Sequence, residues 1–362
     1  MNLQGALIVL GLLVILAVAL NAYDRGRIKR RFFAFVEATF GGDRKAGVLP
    51  VAGAENVPTA DRRVLRPESD GMEAVTDDEV SPDEPFGSID FICFLPSETV
   101  NGRDEALGIY KQNEYVIDKP HRLYGQREGT QSWSNLVRDR GHVRYGLLAL
   151  ALQLADRAGP VNESDLNAIS QIGLKLADAL NRPTRFNMTF EEALERAAAL
   201  DKFCSAFDVI ATVNVMAESA PVFRGPAIER AAQEAKLEFG AGNIFCRRNE
   251  QGGPCRNLYS LANLYQPGFF DPLRMDVFQT QGLTLFMSVP AVPNPSGVFK
   301  EMVDAARLLA RRLGGRLFDA DRKPLSETGL TAIDVQIQGI AERMAAQGIA
   351  PGSLNATRLF PP

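Results

Sequence analysis

Alternation with a period of two limits this chain more than any other feature. In LYSLANLYQPGFFDP, residues 258–272, Tyr259 and Leu261 alternate with Leu258, Ala262 and Leu264 until Gln-Pro-Gly stops the run. Successive strand residues point to opposite faces, so a strand here would be apolar on both. Two further runs repeat the pattern. Val209, Ala211, Val213 and Val215 enclose Ile210 and Thr212, and Leu283, Leu285 and Met287 alternate with Thr284, Phe286 and Ser288. No intervening residue in these runs is charged.

The second half predicts strands at 208–215, 243–248, 257–264, 283–289 and 315–318, with helices at 225–236, 298–313 and 326–346. In the helix at 298–313, Val298, Met302, Ala305, Leu309 and Leu313 recur on one side, which is one-sided burial. Few helices and many short-turn strands predict an α+β layer pair, an antiparallel sheet with helices on one face. The other face is then open, and its apolar residues predict a groove for a partner. The competing expectation is a second covering layer supplied by the rest of the chain.

The first half gives a similar order. Strands are expected at 89–95, 121–126, 132–137, 144–152 and 184–187, with helices at 103–112, 162–180 and 190–203. IDFICFL echoes FDVIATV, and SWSNL echoes LYSLANL. Residues 88–204 are therefore expected to be a degenerate tandem copy, with an unrelated insertion domain as the alternative.

Residues 5–22, GALIVLGLLVILAVALNA, form an uncharged apolar run long enough to cross a bilayer as a helix. A cleaved signal peptide would need a basic start, and Met1-Asn2-Leu3-Gln4 has none. Arg25, Arg27, Lys29, Arg30 and Arg31 follow in a block, which by the positive-inside rule predicts the N-terminus outside and the rest in the cytoplasm. The domain expectation is an anchor over 1–23, a basic juxtamembrane segment over 24–40 and a flexible acidic linker over 41–87. Two α+β units follow over 88–204 and 205–348, with a tail over 349–362.

A net charge of −4 argues against nucleic acid as a partner. Cys93, Cys204, Cys246 and Cys255 are scattered without metal-ligand spacing, and His121 and His142 are the only histidines. No phosphate loop or nucleophile motif is present. Catalysis, cofactors and metals are not expected.

The strings SLANLYQPGFFDP and GLTLFMSVP, followed by GGRLFDADRKPLS and a long final helix, resemble the C-terminal domain of the ZipA family, membrane-tethered cell-division proteins that bind the tubulin-like FtsZ. The resemblance covers about residues 206–346, and the order of anchor, basic flank and acidic linker agrees in kind. It implies a single-pass inner-membrane protein at the division septum that tethers FtsZ filaments, and it leaves room for self-association. It also implies that the open face takes the FtsZ C-terminal tail peptide. Carried over by position, the binding residues would be Ile210, Thr212, Gly242, Ile244, Ala262, Leu264, Gln266, Thr284 and Phe286. Gly242 and Gln266 depart from the family's methionine and lysine, which implies a shallower groove. In the first half, Trp133, Asn135 and Arg144 would lie on the equivalent, more polar face. The alternative is a two-domain structural adaptor whose groove is covered and which binds another envelope partner.

Overall fold

The computed structural model describes residues 86–361, apart from residues 98, 131 and 218–221. The apolar run at 5–22 and the basic block from Arg25 to Arg31 lie outside the described residues. Among the described residues no helix is long and apolar enough to cross a membrane.

The first unit runs β1 (Asp90–Leu95), β2 (Asn101–Gly102), α1 (Arg103–Asn113), β3 (His121–Arg127), β4 (Trp133–Asn135) and β5 (Arg144–Gln153). A ribbon of β6 (Ala155–Asp156) and β7 (Gly159–Pro160) leads to α2 (Glu163–Ala179), β8 (Arg185–Phe186) and α3 (Phe190–Phe207). The second unit follows at once with β9 (Ile210–Ala217), β10 (Phe223–Arg224), α4 (Gly225–Glu234), β11 (Glu238–Phe239), β12 (Phe245–Arg248) and β13 (Asn257–Asn263). It continues through β14 (Gln279–Thr280), β15 (Gly282–Ser288), α5 (Pro295–Leu313), β16 (Gly315–Phe318) and α6 (Glu327–Ala346). A last helix, α7, spans Leu354–Leu359.

Local chemistry sets the starts of the long helices. Asn162 before α2 and Thr189 before α3 each accept a backbone N–H three residues on, and the acid there returns a bond to the cap. This reciprocal pairing satisfies N–H groups that a helix start leaves unpaired.

Both sheets are antiparallel mixed-layer structures, as the alternation predicts. The first has the order β4-β3-β5-β1-β8, with β2 on the start of β5, and the second β11-β12-β13-β15-β9-β16. Around the central strands the arrangement is shared. In each unit the first strand lies between the strand that precedes the long helix and a short edge strand that follows that helix. The units differ beyond that centre, where β3 and β4 form the edge of one sheet and β11, β12 and β13 that of the other.

The core of the second unit lies between α4, α5 and α6 and the sheet face bearing Val213, Val215, Leu261, Leu283 and Leu285. The first unit's core does not end with its own segment. Ala291, Met344, Ile349, Ala356, Leu359 and Phe360 from the later chain join Phe203, Phe207 and the first sheet in one cluster. Residues 349–361, set apart above as a tail, thus cross back and dock. Gly352 makes this crossing tight: a Cβ there would lie 2.3 Å from the Pro293 nitrogen, and its own N–H donates to the Pro290 carbonyl at 3.0 Å. Further on, Arg358 Nη1 donates to Asp90 Oδ2 at 2.8 Å, and the Asp90 side chain has no exposure to water.

Candidate functional site

Strand register arranges the second sheet's open face in rows. Thr212 lies opposite Phe286, which lies opposite Ser260, which lies opposite Cys246. The next row places Asn214, Thr284 and Ala262 side by side, and Ile210 faces Ser288 at the other end. None of Ile210, Thr212, Ala262, Leu264, Thr284 and Phe286 belongs to the core cluster under the helices. The first row continues from Cys246 to Glu238 on β11, whose carboxylate accepts from Arg248 Nε at 2.5 Å, and these rows hold no histidine. The Cys246 and Ser260 side chains meet at 3.4 Å.

Exposure divides the face into two ends. Ile210, Thr212, Ser260 and Phe286 are half-buried and reachable, whereas Ala262, Leu264 and Thr284 are 1–2% exposed. A bridge closes the second end. Asn214 Nδ2 donates to the Asp319 carbonyl at 2.8 Å, which holds the turn after β16 against β9. From that turn the Arg322 guanidinium reaches over the Tyr265 ring, 5.7 Å from its centroid. Tyr265 follows β13, so the two side chains meet across β9 and β15. Beneath lie polar atoms without hydrogen-bond partners among the described residues, Asn214 Oδ1 and Thr284 Oγ1, with Ser288 Oγ at the far end. Buried polar groups are normally paired, so these mark unspent bonding capacity on this face.

The structure brings Ile210, Thr212, Ala262, Thr284 and Phe286 together on neighbouring strands, and Leu264 continues the row line past the end of β13. Ile244 stands half-buried one residue before β12. Gly242 and Gln266 do not lie on strands. Gly242 is exposed in the turn between β11 and β12 at φ 79°, a backbone region that strains any side chain with a Cβ. Any side chain at this place would strain the turn, and a Cβ there would meet nothing within 4 Å. Gln266 is exposed beyond the last strand residue, Asn263. Ser260, Cys246 and Asn214 were missed as face residues. Continuing the alternation one step from Ala262 and from Thr212 finds Ser260 and Asn214.

The first unit does not cover this face through its main packing. The two units meet instead through α3, the turn at Ala291, the end of α6 and the crossing segment that ends in α7. Asp271 and Glu301, two carboxylates of this unit, have separate duties. Asp271 Oδ1 accepts the Leu273 N–H at 3.0 Å, and Glu301 accepts from Arg247 Nε at 2.6 Å. The hydrogen bonds to Glu250 and then Glu301 raise the Arg247 guanidinium above its ordinary value. All four cysteines are free and buried, and burial pushes the Cys93 thiol up to about 11 and the Cys204 thiol to about 12. No metal-ligand cluster occurs among the described residues.

Residues 209–336 match the family model described as ZipA, C-terminal FtsZ-binding domain. Among curated relatives, the cell division protein ZipA of Ectopseudomonas mendocina is 33% identical over 162 residues, which are 44% of this chain and 59% of that protein. The cell division protein ZipA of Pseudomonas aeruginosa is 37% identical over 119 residues, 33% of this chain and 41% of that protein. That of Pseudomonas fluorescens is 31% identical over 170 residues, 47% and 58% of the two chains. The chain thus spans less than two thirds of the length of these relatives. Through its second unit it is related to the ZipA family, whose C-terminal domain it resembles over the residues that build the sheet and its open face.

Proposed function

We propose that this chain is a non-enzymatic cell-division protein that binds the C-terminal tail peptide of FtsZ on the open face of its second sheet. The observation that carries the reading is the half-buried row of Thr212, Phe286 and Ser260, flanked by Ile210 and Ile244, inside a region that matches an FtsZ-binding family model. The apolar run at 5–22 and its basic flank support the further reading of a single-pass inner-membrane tether, with the binding units in the cytoplasm at the division septum. With the Tyr265 and Arg322 bridge over one end, a single groove grips weakly. Many tethered copies along one filament would compensate by raising effective concentration. The shared order of the central strands supports reading the first unit as a degenerate copy of the second.

The test is a titration of the FtsZ tail peptide against the full chain in detergent, with Phe286→Asp as the variant. Phe286 offers an apolar contact worth about 1.5–3 kcal/mol when buried. Its replacement by a carboxylate is expected to weaken the peptide at least tenfold while the circular dichroism stays unchanged. Equal affinity in both proteins, or no binding by either, removes the groove reading.

A further inference from the structure

The first sheet has an open face in the equivalent place, and it is not empty. There Phe94 lies opposite Ala149, which lies opposite Tyr124. In both units this row crosses the first strand, the strand that precedes the long helix, and that strand's other neighbour. It therefore matches the Thr212, Phe286 and Ser260 row of the second sheet. The first face was expected to be the more polar one from Trp133, Asn135 and Arg144. Trp133 and Asn135 do lie along it on β4, and Arg144 stands exposed at the start of β5. Phe94 and Tyr124 nevertheless make its centre aromatic.

Phe86 sits on that centre. Its ring meets those of Trp133, Phe94 and Tyr124 edge-on, with centroids 4.9, 5.6 and 5.9 Å away, and it is 6% exposed. Phe86, Ile92, Tyr124, Ala149 and Ala151 form a cluster of their own, separate from the core under the helices. The backbone at Phe86 belongs to no strand; the next residue, Gly87, is held by its N–H to Asp90 Oδ2 at 2.9 Å, and the ring fills the face. Edge-to-face aromatic contacts add to the burial of apolar area, and three of them converge here. Phe86 ends the acidic stretch SPDEPF, and the face it enters is basic at its rim. Arg185 lies over the Phe94 ring at 5.4 Å, and Arg122 stands opposite Ala151.

We propose that the open face of the first sheet is a second peptide-docking groove, which takes an aromatic side chain carried on an acidic segment, and that the chain's own Phe86 occupies it as a removable plug. The groove is self-masked: a peptide of the same chemistry enters only where Phe86 leaves. This inference concerns the other sheet and does not depend on the FtsZ reading.

Trp133 is the chain's single tryptophan and lies against the plug, so its emission reads the site directly. The experiment uses the full chain in detergent, the variants Phe86→Ala and Phe86→Leu, and two synthetic peptides of residues 81–88, one with Phe86 and one with alanine in its place. The Phe peptide is expected to bind Phe86→Ala at least tenfold more tightly than wild type. It should also restore the red-shifted Trp133 emission of that variant, and the alanine peptide should do neither. Phe86→Leu keeps an apolar plug and the fold, and is expected to bind the Phe peptide with intermediate affinity. Failure of the Phe peptide to bind either variant, or equal binding of both peptides, overturns the proposal and leaves Phe86 as ordinary core. Phe286→Asp should leave every one of these Trp133 readouts unchanged.

Discussion

Single residues decide how the first sheet's edge is held. Asp139, in the segment after β4, accepts from Ser134 Oγ and Tyr145 Oη, each at 2.5 Å, and from Arg127 Nη2. Burial alone would push its carboxyl up, but these three donors and the Arg127 charge together hold it below the ordinary carboxylate value. A depressed folded value means stability that is present above the unfolded value of about 3.9 and lost as pH falls through the folded one. Asp139→Asn is therefore expected to cost about 1.5–3 kcal/mol at pH 7, the usual worth of a hydrogen bond to a charged group. The difference from wild type should begin to shrink below about pH 4, where the unfolded chain's carboxyl takes up its proton, and be lost once pH falls through the lower folded value. Denaturant unfolding followed by Trp133 emission at pH 7 and pH 3 checks both statements. None of this was legible in the sequence, where Asp139 is one acid in a polar turn, because its three donors come from separate strands.

At the scale of elements, much was legible. The strand at 315–318 has the bounds that its alternation gave, and α6 begins one residue after its Ser326 cap. Alternation also sorted Ile210, Thr212, Thr284 and Phe286 onto one face, because the side-chain period of a strand is fixed by its backbone. What it left undetermined was how elements are tied together, and Arg182 shows why. This buried arginine, between α2 and β8, donates to Asn101 Oδ1 at 2.7 Å and to the carbonyls of Leu95, Gly146, Thr99 and Tyr145 at 2.9, 2.7, 3.2 and 3.1 Å. One planar fork thus joins the end of β1, the start of β5 and the approach to β2. A lysine has three donors on a point charge and cannot reproduce that fork. Arg182→Lys is expected to destabilise the first unit by at least about 2 kcal/mol, since each buried acceptor left unpaired costs roughly 1–3 kcal/mol. A lower unfolding midpoint in Trp133 emission would show it, and an unchanged midpoint would contradict it.

At the scale of the whole molecule, residues 353–361 tie the later chain to the first unit. Leu359 and Phe360 are fully buried in the first unit's core, and Phe360 packs near Phe203 with ring centroids 6.0 Å apart. Arg358 pairs with buried Asp90, which also accepts the Gly87 N–H at 2.9 Å, so the last helix braces the same lead-in that carries Phe86. Deleting residues 353–362 is expected to remove about 3–6 kcal/mol from the first unit, at about 1.5–3 kcal/mol per buried Leu or Phe side chain. It also strands Asp90 without its counter-ion, a further penalty for a buried charge. The Trp133 unfolding midpoint should fall sharply while FtsZ-peptide binding by the second unit persists. Parallel loss of both would mean that the two units do not act separately.

Alternation, apolar spacing and turn residues were enough to establish the α+β class, the long strands and helices, and the outward side of the second unit's central strands, but not the two-residue strands or the last helix. They suffice because those properties follow from a few neighbouring residues. Tertiary structure alone decided which strands lie side by side, that Tyr265 and Arg322 close one end of the second face, and that Gly242 sits exposed in a turn at positive φ. It also decided that Phe86 and Phe360, each in a stretch that reads as linker or tail, are buried in the first unit. Those outcomes depend on residues that meet across as many as 268 positions of chain, as Asp90 and Arg358 do. No local period records a meeting of that kind.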